Sequence, residues 1–595
     1  MSGRWRAASN LLRRSDPGTI QSLGIEPRPR AVRGEKLDNG PAQVRVAGAH
    51  VKRHAWFKGL VAGWSVSVMF SCATLGNPAA TAGERLGTVS FPVSCVASEQ
   101  ASFNRGVALL HDFWYEEARP QFERILKSDP HCSMAHWGVA MSAFHQIWDR
   151  PDEATLDLGR RELEAAQKPR AGTAREREYI AALGEVFSSG AEDYQTRIDA
   201  YSTAMQRLYA AHPEDVDAGA FYALSLLAAK PPGDTGIEPE EKAMSVLAPL
   251  WLKYPDHPGL VHYIIHACDN PTLASQGLAA ARAYGKVAPS GPHAVHMPGH
   301  IFARLGLWQE DIAANAASVE ASRAAEARHE SGWMDQFHSD DFLVYAYLQS
   351  GQEQQATATV TAAAAAISHY KNMPGMAPDH YMTGMFPYYQ VKLPMFVDLE
   401  TRNWQKALEL EPVSGAPPET QGQVYWARII AAGHLHQADE AHRDLAAYDS
   451  LITEVRKGPH AYYVQGTGAK IARGELLAWD AFAASHLEPA LTHMRESADL
   501  QDQVGQGEVD IPAREMLADM LLEAKRPKEA LIEYERSLQH SPNRFNGLYG
   551  AGRAAEDSGD RATARRYFAA LLASTNNGAY TNRPEIAHAK SFVSD

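Results

Sequence analysis

Imidazoles four residues apart share one face of a helix, and this chain has two such pairs, His262/His266 and His296/His300. The second pair is the first displaced by 34 residues. Asp269 and His293 lie beside them, which gathers five imidazoles and one carboxylate into Tyr254–Trp308. Neutral imidazole suits zinc, copper, iron or nickel, and a carboxylate fits zinc, iron or manganese. His262, His266, Asp269, His293, His296 and His300 are therefore the expected ligands of a divalent transition metal: zinc, copper or iron. His257 precedes Pro258 at a helix start, as an additional ligand or as a hydrogen-bond donor behind one. A lone HxxxH is usually coincidence or a satisfied core histidine. Two copies in register argue for convergence, with an acidic-peptide groove as the competing use of the same imidazoles.

What must position these side chains is a helical repeat. An offset of 34 residues is the period of the tetratricopeptide (TPR) helix-turn-helix unit. Alanine, leucine, glutamate and arginine dominate, and β-branched runs are scarce after residue 100, which favours helices. In SFNRGVALLHDFWYEEARPQFERILKSDP, Gly106, Leu109, Ala118, Phe122 and Pro130 occupy the small, large, alanine, aromatic and proline slots of that unit. Near the C-terminus Ala518 and Gly552, Ala530 and Ala564, and Tyr534 and Phe568 are each 34 apart. Weaker copies lie at Gly299–Trp308, where Asp311 stands in an alanine slot, and around Tyr347–Ala356 and Trp404–Ala407. The prolines at 374, 378, 387 and 394 predict an irregular connection over 373–395. The expected fold is all-α, a TPR-type α-solenoid wound as a right-handed superhelix, over residues 83–575 with a tail at 576–595.

Placed on that register, helix A turns His262, His266 and Asp269 of one repeat, and His293, His296 and His300 of the next, towards one concave surface. Helices packed about 8–10 Å apart let such side chains share an ion. Pro298 either kinks the second helix or starts it afresh. His338 and Asp341 take the same slots one repeat later, so the His-rich repeats run over 254–350. HDFW at His111 and HQIW at His145 also repeat at 34 residues, a second candidate site that includes Trp114 and Trp148. The histidines at 369, 380, 434, 436, 460, 486, 493 and 540 follow no register and read as surface residues. The methionines at 373, 376, 382 and 385 read as core packing rather than copper ligands.

The first fifty residues interleave Arg4, Arg6, Arg13, Arg14, Arg28, Arg30 and Arg33 with prolines and show no apolar period, so residues 1–50 are expected to be disordered. Lys52, Arg53 and Lys58, the apolar run 59–70 and Ala80-Thr81-Ala82 make a secretory signal peptide over 51–82. A start near Val44–Val51 would place it at the N-terminus. Export to a periplasm is the expectation, with lipid anchoring at Cys72 the lesser alternative and no membrane span in the mature chain. Of the four cysteines, Cys95 and Cys132 flank the first helical pair, as a disulfide or as two buried thiols. A net charge of −14 argues against nucleic acid as a partner.

The segments SFNRGVALLHDFWYEEA, AHWGVAMSAFHQIW, YPDHPGLVHYIIHACDNP, PHAVHMPGHIFARLGLW and PAREMLADMLLEAKRPKEAL together resemble a family of exported bacterial TPR proteins, largely uncharacterised, across about residues 90–575. The resemblance implies the solenoid and the paired cysteines and supplies no reaction. Relatives are expected to offer histidine where this chain has Asp341. No HExxH, GxSxG, phosphate loop or dinucleotide fingerprint is present. Three functions stay open: a metalloenzyme activating water or dioxygen with Asp269 or Asp256 as base, a non-catalytic metal binder, and a scaffold holding a protein or peptide in its groove.

Overall fold

Among the described residues, eight turns between the two helices of a repeat are built one way. Phe113, Gly306, Gly351, Arg402, His436, Ser485, Lys525 and Gly559 each take a left-handed conformation at the end of a first helix, with φ between 53° and 85°. The residue after each one donates its N–H to the carbonyl five positions back, from Trp114 to Leu109 through Asp560 to Ala555. This arrangement closes the helix end and sends the chain back antiparallel. The 34-residue spacing holds from Arg402 to His436 and from Lys525 to Gly559, and stretches elsewhere.

The computed structural model describes residues 83–594 apart from 149, 169–171, 189–192, 232, 374–383, 459–460 and 507–508. The expected disordered extension, signal peptide and Cys72 lie outside these residues, as do His380 and His460. Among the described residues the chain is all-α and has no strand, a TPR-type solenoid of paired helices. None of these helices is long and apolar enough to cross a membrane.

Close helix crossings explain the small residues. A Cβ on Gly106 or Gly138 would stand 2.7 or 2.4 Å from the ring of Phe122, which is fully buried between them. Burying that ring contributes roughly 1.5–3 kcal/mol. Two expectations change in the structure. Of the expected irregular connection over 373–395, residues 374–383 lie outside the described residues, while Phe386–Glu400 is a helix with Pro394 inside it that packs against Asp335–Gln349. Residues 576–595 hold the helix Pro584–Ser594, whose Ile586, Ala589 and Phe592 cap the last repeat.

Distant repeats are pinned to the middle of the chain. Gly306 (φ +63°) lies so close to the Pro542 carbonyl that a Cβ would stand 2.3 Å from it. Beside it the Trp308 indole donates to the Asn543 carbonyl at 2.8 Å. Arg544 is fully buried and pairs with Glu400 and Glu515, each at 2.8 Å. At the other end Thr88 donates to the Asp256 carbonyl at 2.8 Å, tying the segment before the first helix to the His-rich repeats.

Cys95 and Cys132 form a disulfide that closes a loop over 37 residues. Loop closure of that length stabilises the folded N-terminal repeats by about 4 kcal/mol. Reduction is therefore expected to loosen those repeats first. Hydrogen exchange with and without reductant would show it, and unchanged protection over residues 95–142 would contradict it.

Candidate metal centre

Three first helices stand in sequence at the site: Pro258–Cys268, the pair Pro292–His296 and Pro298–Arg304, and Asp335–Gln349. Pro258, Pro292 and Pro298 all sit at the first helical turn, where the missing N–H costs nothing. Met297 keeps helical angles (φ −52°, ψ −33°), so Pro298 interrupts the ladder without turning His296 away from His300.

The six imidazoles sort into two groups of three. His262, His266 and His293 form one, and His296, His300 and His338 the other, with the ligand atoms of each group within 4.8 Å of one another. Each group combines an i, i+4 pair with one histidine from the first helix of the following repeat. His293 and His296 come from the same short helix, yet they serve different groups.

Hydrogen bonds fix which nitrogen faces inward. The Asn315 amide donates to the Asp311 backbone oxygen at 3.1 Å and to its carboxyl at 2.6 Å, leaving Asn315 Oδ1 towards His296. His296 therefore donates from Nδ1 to that oxygen at 2.6 Å. His300 donates from Nδ1 to Asp269 at 2.9 Å, and His262 from Nδ1 to the His111 carbonyl at 2.6 Å. A neutral imidazole that donates from Nδ1 carries its lone pair on Nε2. His296 and His300 thus turn their Nε2 atoms to each other, 3.0 Å apart. His266 and His262 Nε2 are also 3.0 Å apart. Two nitrogens each about 2.0–2.1 Å from one ion, at an angle of about 90–110°, would lie about 2.9–3.4 Å apart. Both pairs fit.

Burial keeps His262, His266, His293 and His338 neutral. It pushes His262, His293 and His338 well below the ordinary imidazole range, helped by neighbouring imidazoles. It brings His266 to about 3, with His300 adding to the effect. His293 Nε2 is buried with no hydrogen-bond partner, as a ligand atom would be in the metal-free chain. Each group joins fully buried imidazoles to half-buried ones, His266 in the first and His300 and His338 in the second. Phe113 packs on the first group, 4.4 Å from His262 and stacked at 5.3 and 5.6 Å on His266 and His293. A bulky residue at φ +56° is strained, and here it forms a wall of the site. Phe342 does the same for His296 and His300.

Several expected ligands have other roles. Asp269 falls just beyond the end of its helix and reaches forward to His300 and Arg304. Burial alone would raise its carboxyl, but Arg304 and His300 outweigh it and hold Asp269 well below the usual range. It lies outside both groups of three imidazoles. We expect Asp269→Asn to weaken metal binding 10- to 100-fold while leaving the ligands in place. A titration with unchanged affinity would contradict this. Asp341 is buried in an ion pair with Lys392 at 2.6 Å and belongs to neither group. His145 stacks on Tyr115 at 4.6 Å, near Trp148, and is also outside both groups. His434 is not a surface residue: its ring stacks on Trp404 at 3.9 Å and its side chain is 3% exposed.

His111 and His257 form a third group with Asp217, wholly buried. Their Nε2 atoms lie 3.0 and 3.2 Å from one Asp217 oxygen. Burial would raise the Asp217 carboxyl, but these hydrogen bonds outweigh it and hold it well below its usual range. His111 Nδ1 meets the Tyr263 hydroxyl at 2.9 Å. With both Nε2 atoms donating to the carboxylate, this group braces the His111 carbonyl that fixes His262. Gly259 leaves room for the His111 ring, since a Cβ there would lie 2.3 Å from Nδ1. Asp256 instead lines a separate surface cavity of about 580 Å³ with Arg175, Lys253 and His257.

Burial lowers the His111 pKa to about 4, against an ordinary 6.5. An unfolded histidine binds a proton below 6.5 that the folded one refuses until about pH 4. The metal-free protein should therefore lose stability as pH falls through that window, by on the order of 1 kcal/mol per pH unit from this residue. Thermal melts at pH 7 and 5 check it, and equal midpoints would contradict it.

Sequence reasoning missed Asp217, Asn315 and Phe113. Asp311 in an alanine slot was the visible sign of the Asp311–Asn315 pair, which sits on Gly299 where a Cβ would meet both. Asp217 was visible only as a carboxylate in the otherwise apolar helix VDAGAFYALSLLA.

No family model matches this chain, and no curated protein matches it. Among solved structures it is similar to the P58(IPK) TPR domain, at 12% identity over 84% of this chain and 99% of that one, with a TM-score of 0.19. It is also similar to the human IFIT1 dimer with m7Gppp-AAAA, at 13% identity over 78% and 90%, TM-score 0.33. A third is Naa15/Naa10 bound to HypK-THB, at 11% identity over 83% and 91%, TM-score 0.20. Superpositions this loose carry no functional argument, and the repeat geometry described above defines the fold.

Proposed function

We propose that this chain is a metal-binding TPR solenoid, with His262, His266 and His293 holding one transition-metal ion and His296, His300 and His338 a second. The observation that carries this reading is the pair of Nε2 atoms of His296 and His300, turned to one another across 3.0 Å with both Nδ1 atoms committed elsewhere. Two nitrogens held this close share either a proton or a metal ion that both reach, and the metal analysis below tells the two apart. The Asp269–His300 arrangement is also the usual way a carboxylate orients a metal-binding imidazole. Three imidazoles leave an open position on each ion, where a metal acts as a Lewis acid on a bound molecule. The half-buried His266, His300 and His338 are the side from which such a molecule would enter. Asp269 is engaged with His300 and Arg304 and Asp256 lines a separate cavity, and no reaction is assigned.

Export to a periplasm as a member of the bacterial TPR family is part of the proposal and rests on the sequence resemblance. A partner-binding role is the second reading. The helical-repeat scaffold supports it, and Trp148 favours a covered rim: it is 45% exposed and 5.0 Å from the His293 ring. Metal analysis of the purified chain, before and after dialysis against zinc, copper and iron salts, tests the first reading. Retention of bound metal is expected. A chain that stays metal-free under all three overturns it and leaves the groove reading.

A further inference from the structure

We infer that the two three-imidazole groups form one two-copper centre that takes up dioxygen, rather than two independent sites. This rests on the metal-binding reading above. Four observations carry it. First, the groups adjoin: one five-residue helix supplies His293 to one and His296 to the other, with ring centroids 6.0 Å apart. Second, the groups are copies, each an i, i+4 pair plus one histidine from the first helix of the next repeat, a matched environment for two like ions. Third, among the described residues both groups are made of imidazoles alone, with Asp269 paired to His300 and Arg304 and Asp341 to Lys392. Charge is costly in a buried site, so two copper(I) ions bring half the uncompensated charge of two divalent ions. Iron sites of this kind ordinarily include a carboxylate, and imidazole binds copper well. Fourth, Phe113 and Phe342 line the two groups, and Tyr284 stacks on His262 at 5.0 Å, walls that suit a small apolar ligand.

The uptake step balances without a proton. Each copper(I) gives one electron to dioxygen, two in all. The oxygen–oxygen double bond is reduced to the single bond of peroxide, held between two copper(II) ions. A ligand shared by both ions couples their unpaired electrons and removes the copper(II) signal from electron paramagnetic resonance.

The test uses the full chain, stripped with chelator, loaded with copper(I) without oxygen and then exposed to dioxygen. The expected result is two coppers per chain, one dioxygen consumed for every two coppers, and no copper(II) resonance. His338→Ala should keep one copper, give an ordinary copper(II) signal and lose stoichiometric uptake. Two coppers with the full signal of isolated ions would overturn the shared centre and leave metal binding standing. The same holds for a chain that takes zinc and refuses copper. A chain that binds no metal of any kind would overturn both. The wild-type stoichiometry and spectrum decide the matter even where the variant fails to fold.

Discussion

A His262→Ala/His296→Ala variant should fold and hold no tightly bound metal. Each substitution removes the most buried member of its i, i+4 pair, at 0% and 1% exposure, and leaves its partner without a second nitrogen 3.0 Å away. Two ligands remain in each group, too few for tight binding by neutral imidazole. The single variants should each lose one ion, so the pair separates the groups. Removing a buried ring also leaves a cavity, at a cost of roughly 3–5 kcal/mol if the site behaves like other buried aromatic truncations. His262→Gln and His296→Gln fill more of that space and keep a hydrogen-bond donor for the His111 carbonyl and Asn315. Both series should agree on metal content while differing in stability. Metal retained at the wild-type level in the double variant would contradict the assignment.

The second large effect concerns the frame that holds the site. Arg544→Ala would leave Glu400 and Glu515 buried, at 1% exposure each, with no guanidinium between them. Stranding charge in this way costs about 3–5 kcal/mol. The same guanidinium meets the Tyr345 hydroxyl, and Asn546 donates to Glu400 at 3.0 Å, so the loss spreads across the contact between the last repeats and the middle ones. Urea unfolding followed by tryptophan fluorescence should show an earlier transition, with Trp308 reporting release from Asn543. Adding Glu400→Gln and Glu515→Gln should recover part of the loss by removing the stranded charges. A change under about 1 kcal/mol for Arg544→Ala would mean the network carries little of the contact.

The imidazole pairs were legible because a 34-residue offset in a helical repeat places like residues on like faces. His338 was legible from its slot for the same reason, and the cysteines from their positions flanking the first pair. What the register could not show is where a helix stops. Asp269 was read as one turn beyond His266 on the same face, but the helix ends at Cys268 and the carboxylate swings to the next repeat's His300. Nor could it show that His293 and His296, three apart, would part company between two neighbouring helices. Asp341 shared a ligand slot, yet its partner Lys392 comes from a helix that four prolines had disguised as a loop. Asp217 and Asn315 act on the site from outside the His-rich register, where no spacing pointed to them.

Anomalous diffraction from crystals of the metal-loaded chain would locate the ions against the two imidazole groups. Two peaks are expected, one about 2.0–2.1 Å from Nε2 of His296 and His300 and the other at the same distance from Nε2 of His262 and His266. Peaks confined to the protein surface, or a metal-free centre with the two Nε2 contacts intact, would contradict the two-ion reading.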